Sequence, residues 1–347
     1  MTTDERMMQR CLQLAILGLG QVSPNPMVGS VLVYEGEIIG EGYHQQYGEG
    51  HAEVNCLQSV ANKHQQLISA STLYVSLEPC AHFGKTPPCT DLILKHKIKK
   101  VVIGCQDISS KVNGKGIEKL RLAGVEVIED VLKEACMAMN RRFFCNHLKH
   151  RPYIILKWAE SADGYIGQSH QTIKISNAFT DRMVHQWRAD EDAILVGYRT
   201  ALQDNPRLNV RLAEGKQPVR IVIDEQLTLP PTLHLFDESQ TTFVFNLNKN
   251  SQDTDTEYIK ISKEQLLPSL LEKLVEKKIQ SVIIEGGRAL LQQFITDDLW
   301  DEARVIQNNR YLYEGIQRPN LINATLVDSK QVLNDVIYFH KNNNRIT

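Results

Sequence analysis

His51, Glu53, Cys80 and Cys89 are the side chains of this sequence best placed to do chemistry. One imidazole and two thiolates make three ligands for Zn²⁺ and leave the fourth tetrahedral position open for water. Glu53 lies two residues from His51, close enough to take a proton from that water and hand it to a leaving group. Histidine, then glutamate two places on, then Pro79-Cys80 and a second cysteine is the order that hydrolytic removal of an amino group from a nucleobase ring requires. In its general form that order has a compact pair of cysteines, whereas here Ala81 to Pro88 intervene. About one zinc per chain is expected. The shell could instead close on a fourth side chain as a structural zinc, with His44 and His82 the nearest histidines. Both can equally serve a substrate pocket, as can Lys85 if a phosphate has to be held. Asn25, restricted by a proline on either side, is the amide for the ring edge, or else a turn-capping asparagine.

Short elements must bring these residues together. Apolar spacing predicts a helix over 5–18, ended by Gly18-Leu19-Gly20, and Ser23-Pro24-Asn25-Pro26 cannot continue it. Strands follow at 28–33 and 38–40 around the turn Glu35-Gly36-Glu37. A helix from about 52 to 61 carries Glu53 in its first turn, where free backbone N–H groups favour an anion. The strand 72–77 runs into Glu78-Pro79-Cys80, and Cys89 starts a helix through about Lys97, so two helix starts converge on one metal. Strands at 101–104 and 125–128 flank a helix over about 116–122, and a long helix is expected from about 131 to 144. This is an alternating α/β domain.

The polar stretch Asn146–Pro152 marks a boundary, giving domains 1–147 and 150–347. Beyond it come apolar strands at 153–158, 192–197, 218–224, 242–245 and 281–287, with helices at about 178–189 and 265–278. They predict a largely parallel buried sheet, with Asn246–Thr256 an exposed loop. No Gly-x-Gly-x-x-Gly follows the first of these strands, which removes support for a Rossmann dinucleotide site. Glu285-Gly286-Gly287-Arg288, between a strand and a helix, is a different device. It can admit a pyrophosphate close to the backbone, or be a purely structural turn.

Composition narrows the class of protein. Lys plus Arg number 39 against 41 Asp plus Glu, a balance that gives no support to nucleic-acid binding by bulk electrostatics. No apolar run is long enough for a membrane span, and no membrane partner is expected. The 7 cysteines, from Cys11 to Cys145, fit a reducing compartment with two thiols on metal better than a disulfide framework. The cytoplasm is the expected location. Competing classes are a deaminase of another nucleobase or of a nucleic acid, with the C-terminal domain serving for binding or assembly, and a ligand-binding or structural zinc protein without turnover.

Three stretches carry a family resemblance in the first half: Ser23–Gly29, Gly42–Val54 and Thr72–Cys89, including the long interval between cysteines. In the second half it is carried by Leu156–Gly164, Arg188-Ala189, Asp192–Gly197, Thr200, Asp204–Arg211 and Glu285–Gly287. Over nearly its whole length the chain resembles the bifunctional riboflavin-biosynthesis deaminase–reductases, the RibD family. The resemblance implies a cytidine-deaminase-like three-layer α/β domain followed by a dihydrofolate-reductase-like α/β domain. It implies Zn²⁺ and NADPH as cofactors, phosphoribosylated pyrimidines as substrates, and a homo-oligomer. Those enzymes hydrolyse an amino group of a phosphoribosylaminopyrimidine, then reduce the ribosyl chain to ribityl. Carried over residue by residue, the deaminase substrate falls to Asn25, His44, His82 and Lys85. NADPH falls to Ala159, Lys174, Thr200, Asp204, Gly286, Gly287 and Arg288. The reductase substrate falls to Thr172, Arg188, Leu208, Arg211 and Glu285, the arginines meeting its phosphate. The chain departs from the family pattern at Asp107-Ile108-Ser109-Ser110, where Asp-Pro-Asn-Pro is usual, at Glu160 and Ala162, and at Thr172–Ser176, which lacks a common tryptophan.

Overall fold

The Thr2 hydroxyl accepts the Glu5 amide while the Glu5 carboxylate accepts the Thr2 amide at 2.7 Å, a reciprocal cap that starts α1 (Thr3–Ala15) in this computed structural model. Residues 1–83, 87–109, 112–168 and 173–345 are described. The chain divides into two units, Met1–His150 and Arg151–Thr347.

In the first unit α1 is followed by β1 (Gly29–Tyr34), β2 (Glu37–Tyr43), α2 (Ala52–Gln58), β3 (Thr72–Leu77), α3 (Cys89–Lys95), β4 (Lys100–Cys105), α4 (Lys115–Leu122), β5 (Glu126–Ile128), α5 (Lys133–Met139) and α6 (Arg141–Lys149). The five strands lie in the order β2-β1-β3-β4-β5, with β3, β4 and β5 parallel and β1 antiparallel to both its neighbours. Alternate residues of each strand feed opposite faces. Leu73 and Val75 pack with Leu57, Ile93 and Leu120 of α2, α3 and α4, whereas Tyr74 packs with Leu12, Phe143 and Phe144 of α1 and α6. The result is three layers.

The helix expected over 131–144 is two helices. It breaks at Asn140, whose backbone (φ −99°, ψ 26°) leaves the helical range. The Asn140 amide donates to the Met27 carbonyl at 2.9 Å and its oxygen accepts the Met27 N–H at 2.8 Å, so two buried backbone groups of a distant turn outweigh helix continuity.

The second unit contains β6 (Tyr153–Glu160), β7 (Tyr165–Gly167), α7 (Ala178–Asp190), β8 (Ala193–Gly197), α8 (Tyr198–Asp204), β9 (Val219–Ile223), β10 (Thr242–Asn246), β11 (Ser251–Asp253), β12 (Thr256–Lys260), α9 (Leu266–Glu276), β13 (Ser281–Ile284), α10 (Arg288–Thr296), β14 (Glu302–Asn308), β15 (Ile316–Gln317), β16 (Ala324–Val332) and β17 (Asp335–Asn342). Ten of these strands form one sheet, β11-β12-β10-β9-β8-β13-β6-β14-β17-β16. It is parallel from β12 to β14 and antiparallel at both ends. α9 and α10 cover one face through Leu270, Leu274 and Phe294; α8 covers the other through Ala201.

The segment 246–256 is not the plain loop expected. Its residues Ser251–Asp253 form the edge strand β11, and the Asn246 oxygen accepts the amides of Asn248 and Lys249 to shape the turn before it. Polar residues suit a solvated sheet edge, and that polarity hid the strand. Among the described residues no helix is long and apolar enough to cross a membrane.

Candidate functional site

His51 is the N-cap of α2, which brings its ring beside the β3–α3 loop that holds Cys80 and the first residue of α3, Cys89. Its Nδ1 lies 3.6 Å from Cys80 Sγ and 3.4 Å from Cys89 Sγ, and the three ligand atoms all fall within 4.8 Å of one another. Zinc held tetrahedrally at about 2.3 Å from sulfur and about 2.0–2.1 Å from nitrogen needs S···N separations of about 3.6 Å. The donor set therefore fits the ion in both kind and spacing. The Cys89 amide donates to Cys80 Sγ at 3.3 Å, and Cys89 with His51 holds the Cys80 thiol down to about 4. Cys89 itself is pushed up by Cys80 and by burial.

Glu53, in the first turn of α2, is 3% exposed. Burial raises its pKa above the usual carboxylate range, the direction a proton shuttle near neutral pH needs.

His44 does not complete the shell, because both its ring nitrogens are engaged. Nδ1 lies 3.1 Å from the Gly50 carbonyl oxygen, which can only accept, so Nδ1 carries the proton. Nε2 must then accept from Asn25 Nδ2 at 3.1 Å, leaving Asn25 Oδ1 as the atom to meet a ring N–H. Burial lowers the His44 pKa and keeps the ring neutral. Asn140 holds Met27, at the end of the same turn.

Glu78 ties down the loop that precedes Cys80. Oε1 accepts the amides of Gly116 (2.8 Å) and Ile117 (3.3 Å), and Oε2 those of Gly114 (3.0 Å) and Asp107 (3.2 Å). A Cβ on Gly116 would stand 2.1 Å from the Pro79 oxygen, so only glycine allows this approach. His82 Nδ1 is buried without a hydrogen-bond partner among the described residues. Lys85 lies outside them.

A second constellation gathers at the C-terminal ends of β6, β8 and β13. Parallel pairing of Leu156 with Ile284 puts Lys157 level with Glu285, 3.9 Å from Nζ to Oε2. Arg188 on α7 donates to both oxygens of Glu285, at 2.9 and 2.7 Å, and to the Asn209 carbonyl at 3.2 Å. Against the cost of burial, Arg188 and Lys157 hold the Glu285 carboxyl down to about 2. Next to it Thr200 Oγ1 accepts the Gly287 amide at 2.9 Å, no side chain among the described residues caps α10, and Arg288 is exposed in its first turn. A Cβ on Gly286 would meet the Gly197 nitrogen at 2.6 Å. Free amides and an exposed guanidinium at a helix start fit the phosphates of a dinucleotide.

The comparisons with known proteins agree over both units. Residues 1–105 match the cytidine and deoxycytidylate deaminase zinc-binding region, and residues 152–335 match the RibD C-terminal domain. Riboflavin biosynthesis protein RibD of Aquifex aeolicus is 37% identical over 336 residues, covering 95% of this chain and 93% of that one. The chain belongs to the RibD family. RibD of Actinobacillus pleuropneumoniae is 42% identical over 300 residues, covering 83% of this chain and 79% of that one. A diaminohydroxyphosphoribosylaminopyrimidine deaminase/5-amino-6-(5-phosphoribosylamino)uracil reductase of Thermotoga maritima superposes with a TM-score of 0.89 at 34% identity, covering 98% of this chain and 99% of that one. Acinetobacter baumannii RibD does so with a TM-score of 0.89 at 31% identity, covering 98% of each. The architecture is that two-domain fold, a cytidine-deaminase-like unit followed by a dihydrofolate-reductase-like one.

Within this chain the residues expected at the second site are distributed unevenly. Thr200, Gly286, Gly287, Arg188 and Glu285 are brought together as described. Lys174 is 65% exposed and pairs with Asp181, Asp204 ends α8, Ala159 lies on β6 opposite Ile306, and Thr172 is outside the described residues. Leu208 is buried with φ 47°, and Arg211 is exposed. Arg188, expected to meet a phosphate, has three of its five N–H donors committed to Glu285 and Asn209.

Lys157 was missed in the sequence, although a lone lysine inside the apolar run 153–158 is a signal in itself. Glu160, a departure from the family pattern, is buried but satisfied: it accepts from Trp158 Nε1 at 2.7 Å, Arg318 at 3.0 Å and Gln307 at 3.2 Å. At the departure that begins at Asp107, Asp107 Oδ1 accepts the Ser109 amide at 2.7 Å, and Glu78 holds the Asp107 amide.

Proposed function

We infer that this protein is a bifunctional enzyme of riboflavin biosynthesis. It hydrolyses 2,5-diamino-6-(5-phosphoribosylamino)pyrimidin-4(3H)-one to 5-amino-6-(5-phosphoribosylamino)uracil and ammonia, then reduces the ribosyl side chain to ribityl with NADPH. The observation that carries it is the three-ligand group His51, Cys80 and Cys89 with buried Glu53 alongside, in a chain that matches RibD over both units. Deamination is assigned to residues 1–147 and reduction to residues 150–347.

In the deaminase, bound zinc supplies the Lewis acidity that brings a water pKa toward neutrality. Glu53 takes the proton from the water and delivers it to the departing amine. Asn25, oriented by His44, accepts from the ring edge, while His82 and Lys85 serve the remainder of the substrate. In the reductase, NADPH supplies the hydride and would be held by Ala159, Lys174, Thr200, Asp204, Gly286, Gly287 and Arg288. Arg211 takes the substrate phosphate as a charge-assisted pair. Arg188 keeps Glu285 ionised and oriented toward the ribosyl chain, with Thr172 and Leu208 lining the substrate. The free thiols fit a cytoplasmic setting, and assembly as a homo-oligomer is to be tested by light scattering.

The direct test supplies purified protein with the diaminopyrimidine phosphoriboside and follows ammonia with and without NADPH. Ammonia should appear in both, and NADPH should be consumed only as deaminated product accumulates. NADPH oxidation without ammonia release would overturn the order of steps.

Zinc should copurify at about one per chain. Cobalt-substituted protein lacking thiolate-to-metal absorption bands would remove Cys80 and Cys89 from the shell. NADPH should exceed NADH in kcat/KM by about tenfold or more, the worth of one charge-assisted hydrogen bond to a 2′-phosphate. Arg288 and Lys174 are the exposed cations for it. Equal kcat/KM for the two would refute the preference.

A further inference from the structure

Between α8 and β9 the chain has no regular structure, yet side chains from α7, from the stretch before β10 and from Gln217 of the same segment hold its backbone from Leu208 to Arg211. Gln240 donates to the Leu208 carbonyl at 3.2 Å and Arg188 to that of Asn209 at 3.2 Å. Gln217 both accepts the Val210 amide and donates to the Val210 carbonyl, each at 2.8 Å, as a strand partner would. His185 Nδ1 accepts the Arg211 amide at 3.2 Å. Leu208 stands at φ 47°, a left-handed conformation that leucine adopts only when its surroundings hold it there. A loop so pinned is built to fix what it carries.

The residue at its end is Arg211, whose exposed guanidinium is steadied by Asn209 Oδ1 at 2.9 Å. His185 sits one turn before Arg188 on α7, so both face this segment, and the residue is 3% exposed. Accepting an amide requires Nδ1 to be unprotonated, which places the ring proton on Nε2. Burial, with Arg188 and Arg211 alongside, lowers the His185 pKa to about 4 against the opposing pull of Glu285 and Asp181, so Nδ1 remains an acceptor at neutral pH.

We propose that His185 and Gln217 are positioning residues of the reductase, setting the Val210–Arg211 backbone so that Arg211 meets the phosphate of the substrate. The inference rests on the assignment of Arg211 to that phosphate. Neither residue touches the reacting atoms. What they supply is a pre-ordered anion site, so their loss acts on binding of the phosphorylated substrate and not on hydride transfer.

The test measures reductase KM and kcat with the deaminated phosphoribosyl substrate and with its dephosphorylated nucleoside, for H185F, H185N, Q217L and R211A. H185F keeps a ring but leaves the Arg211 amide unpaired, and KM for the phosphorylated substrate should rise about tenfold with kcat within about twofold. H185N places an oxygen where Nδ1 stood and should restore most of that loss. Q217L, at an exposed position, should raise KM in the same way even if H185F is recovered poorly. KM for the nucleoside should move in none of them. Equal KM for H185F and H185N, or an equal rise for the nucleoside, would overturn the proposal. So would a rise in R211A unaccompanied by one in H185F or Q217L. If R211A itself leaves KM unchanged, the phosphate assignment fails first and takes the proposal with it.

Discussion

Glu53→Gln is expected to lower the rate of ammonia release by about 10²–10⁴-fold, the usual contribution of one positioned acid–base group. The zinc content and the reduction of the deaminated intermediate should stay at wild-type levels. Glutamine keeps the volume of the buried side chain and still hydrogen bonds, so the fold has no reason to respond. What disappears is the proton carrier. Its neighbours make the effect severe, because Asn25 and His44 hydrogen bond to each other, His51 and the two cysteines are committed to metal, and none can substitute as a base. Metal analysis alongside separate ammonia and NADPH assays checks the outcome. Equal loss of both activities would mean that Glu53 supports the fold instead.

Glu285→Gln should destabilise the C-terminal unit by about 3–5 kcal/mol, because buried Arg188 and Lys157 then lose the carboxylate they contact and keep Asp181 as counter-charge. All 3 tryptophans, Trp158, Trp187 and Trp300, lie in that unit, so their fluorescence during urea unfolding reports it selectively. The midpoint should fall and reductase activity with it, while ammonia release persists. The sign of the pH dependence follows from the carboxyl being held down to about 2 from an ordinary 4.5. Its stabilisation is complete above about 4.5 and is lost as pH falls toward about 2, as expected when the folded pKa lies below the unfolded one. Wild type and variant should therefore converge in stability on acidification through that window. An unchanged midpoint at neutral pH would show that water, and not Glu285, solvates these two cations.

Much of the deaminase half was legible in the linear chain because its determinants are local. His51 and Glu53 are fixed relative to each other by one helix start, and Cys80 follows directly from an apolar strand whose side chains alternate between two cores. The buried strands of the reductase half were visible as apolar runs for the same reason. β14 was not, because charged Glu302 and Arg304 interrupt its apolar pattern although both are buried, Arg304 pairing with Glu302 at 2.7 Å and with Glu191 at 3.4 Å. Asn140 read as the interior of a helix, since its partner Met27 lies 113 residues away.

The two sites differ in the same way. Types and spacing in the sequence determined that three soft ligands and a carboxylate were available for a metal, and that an acidic Gly-Gly turn lay between a strand and a helix. Only the tertiary structure decided that Arg188 holds Glu285, that Lys157 joins them, and that His185 and Gln217 hydrogen bond to the backbone at Val210 and Arg211. A charged or polar side chain takes whichever partner the sheet order brings within about 3 Å, and that order is set by packing between residues far apart in the chain, which no local pattern encodes.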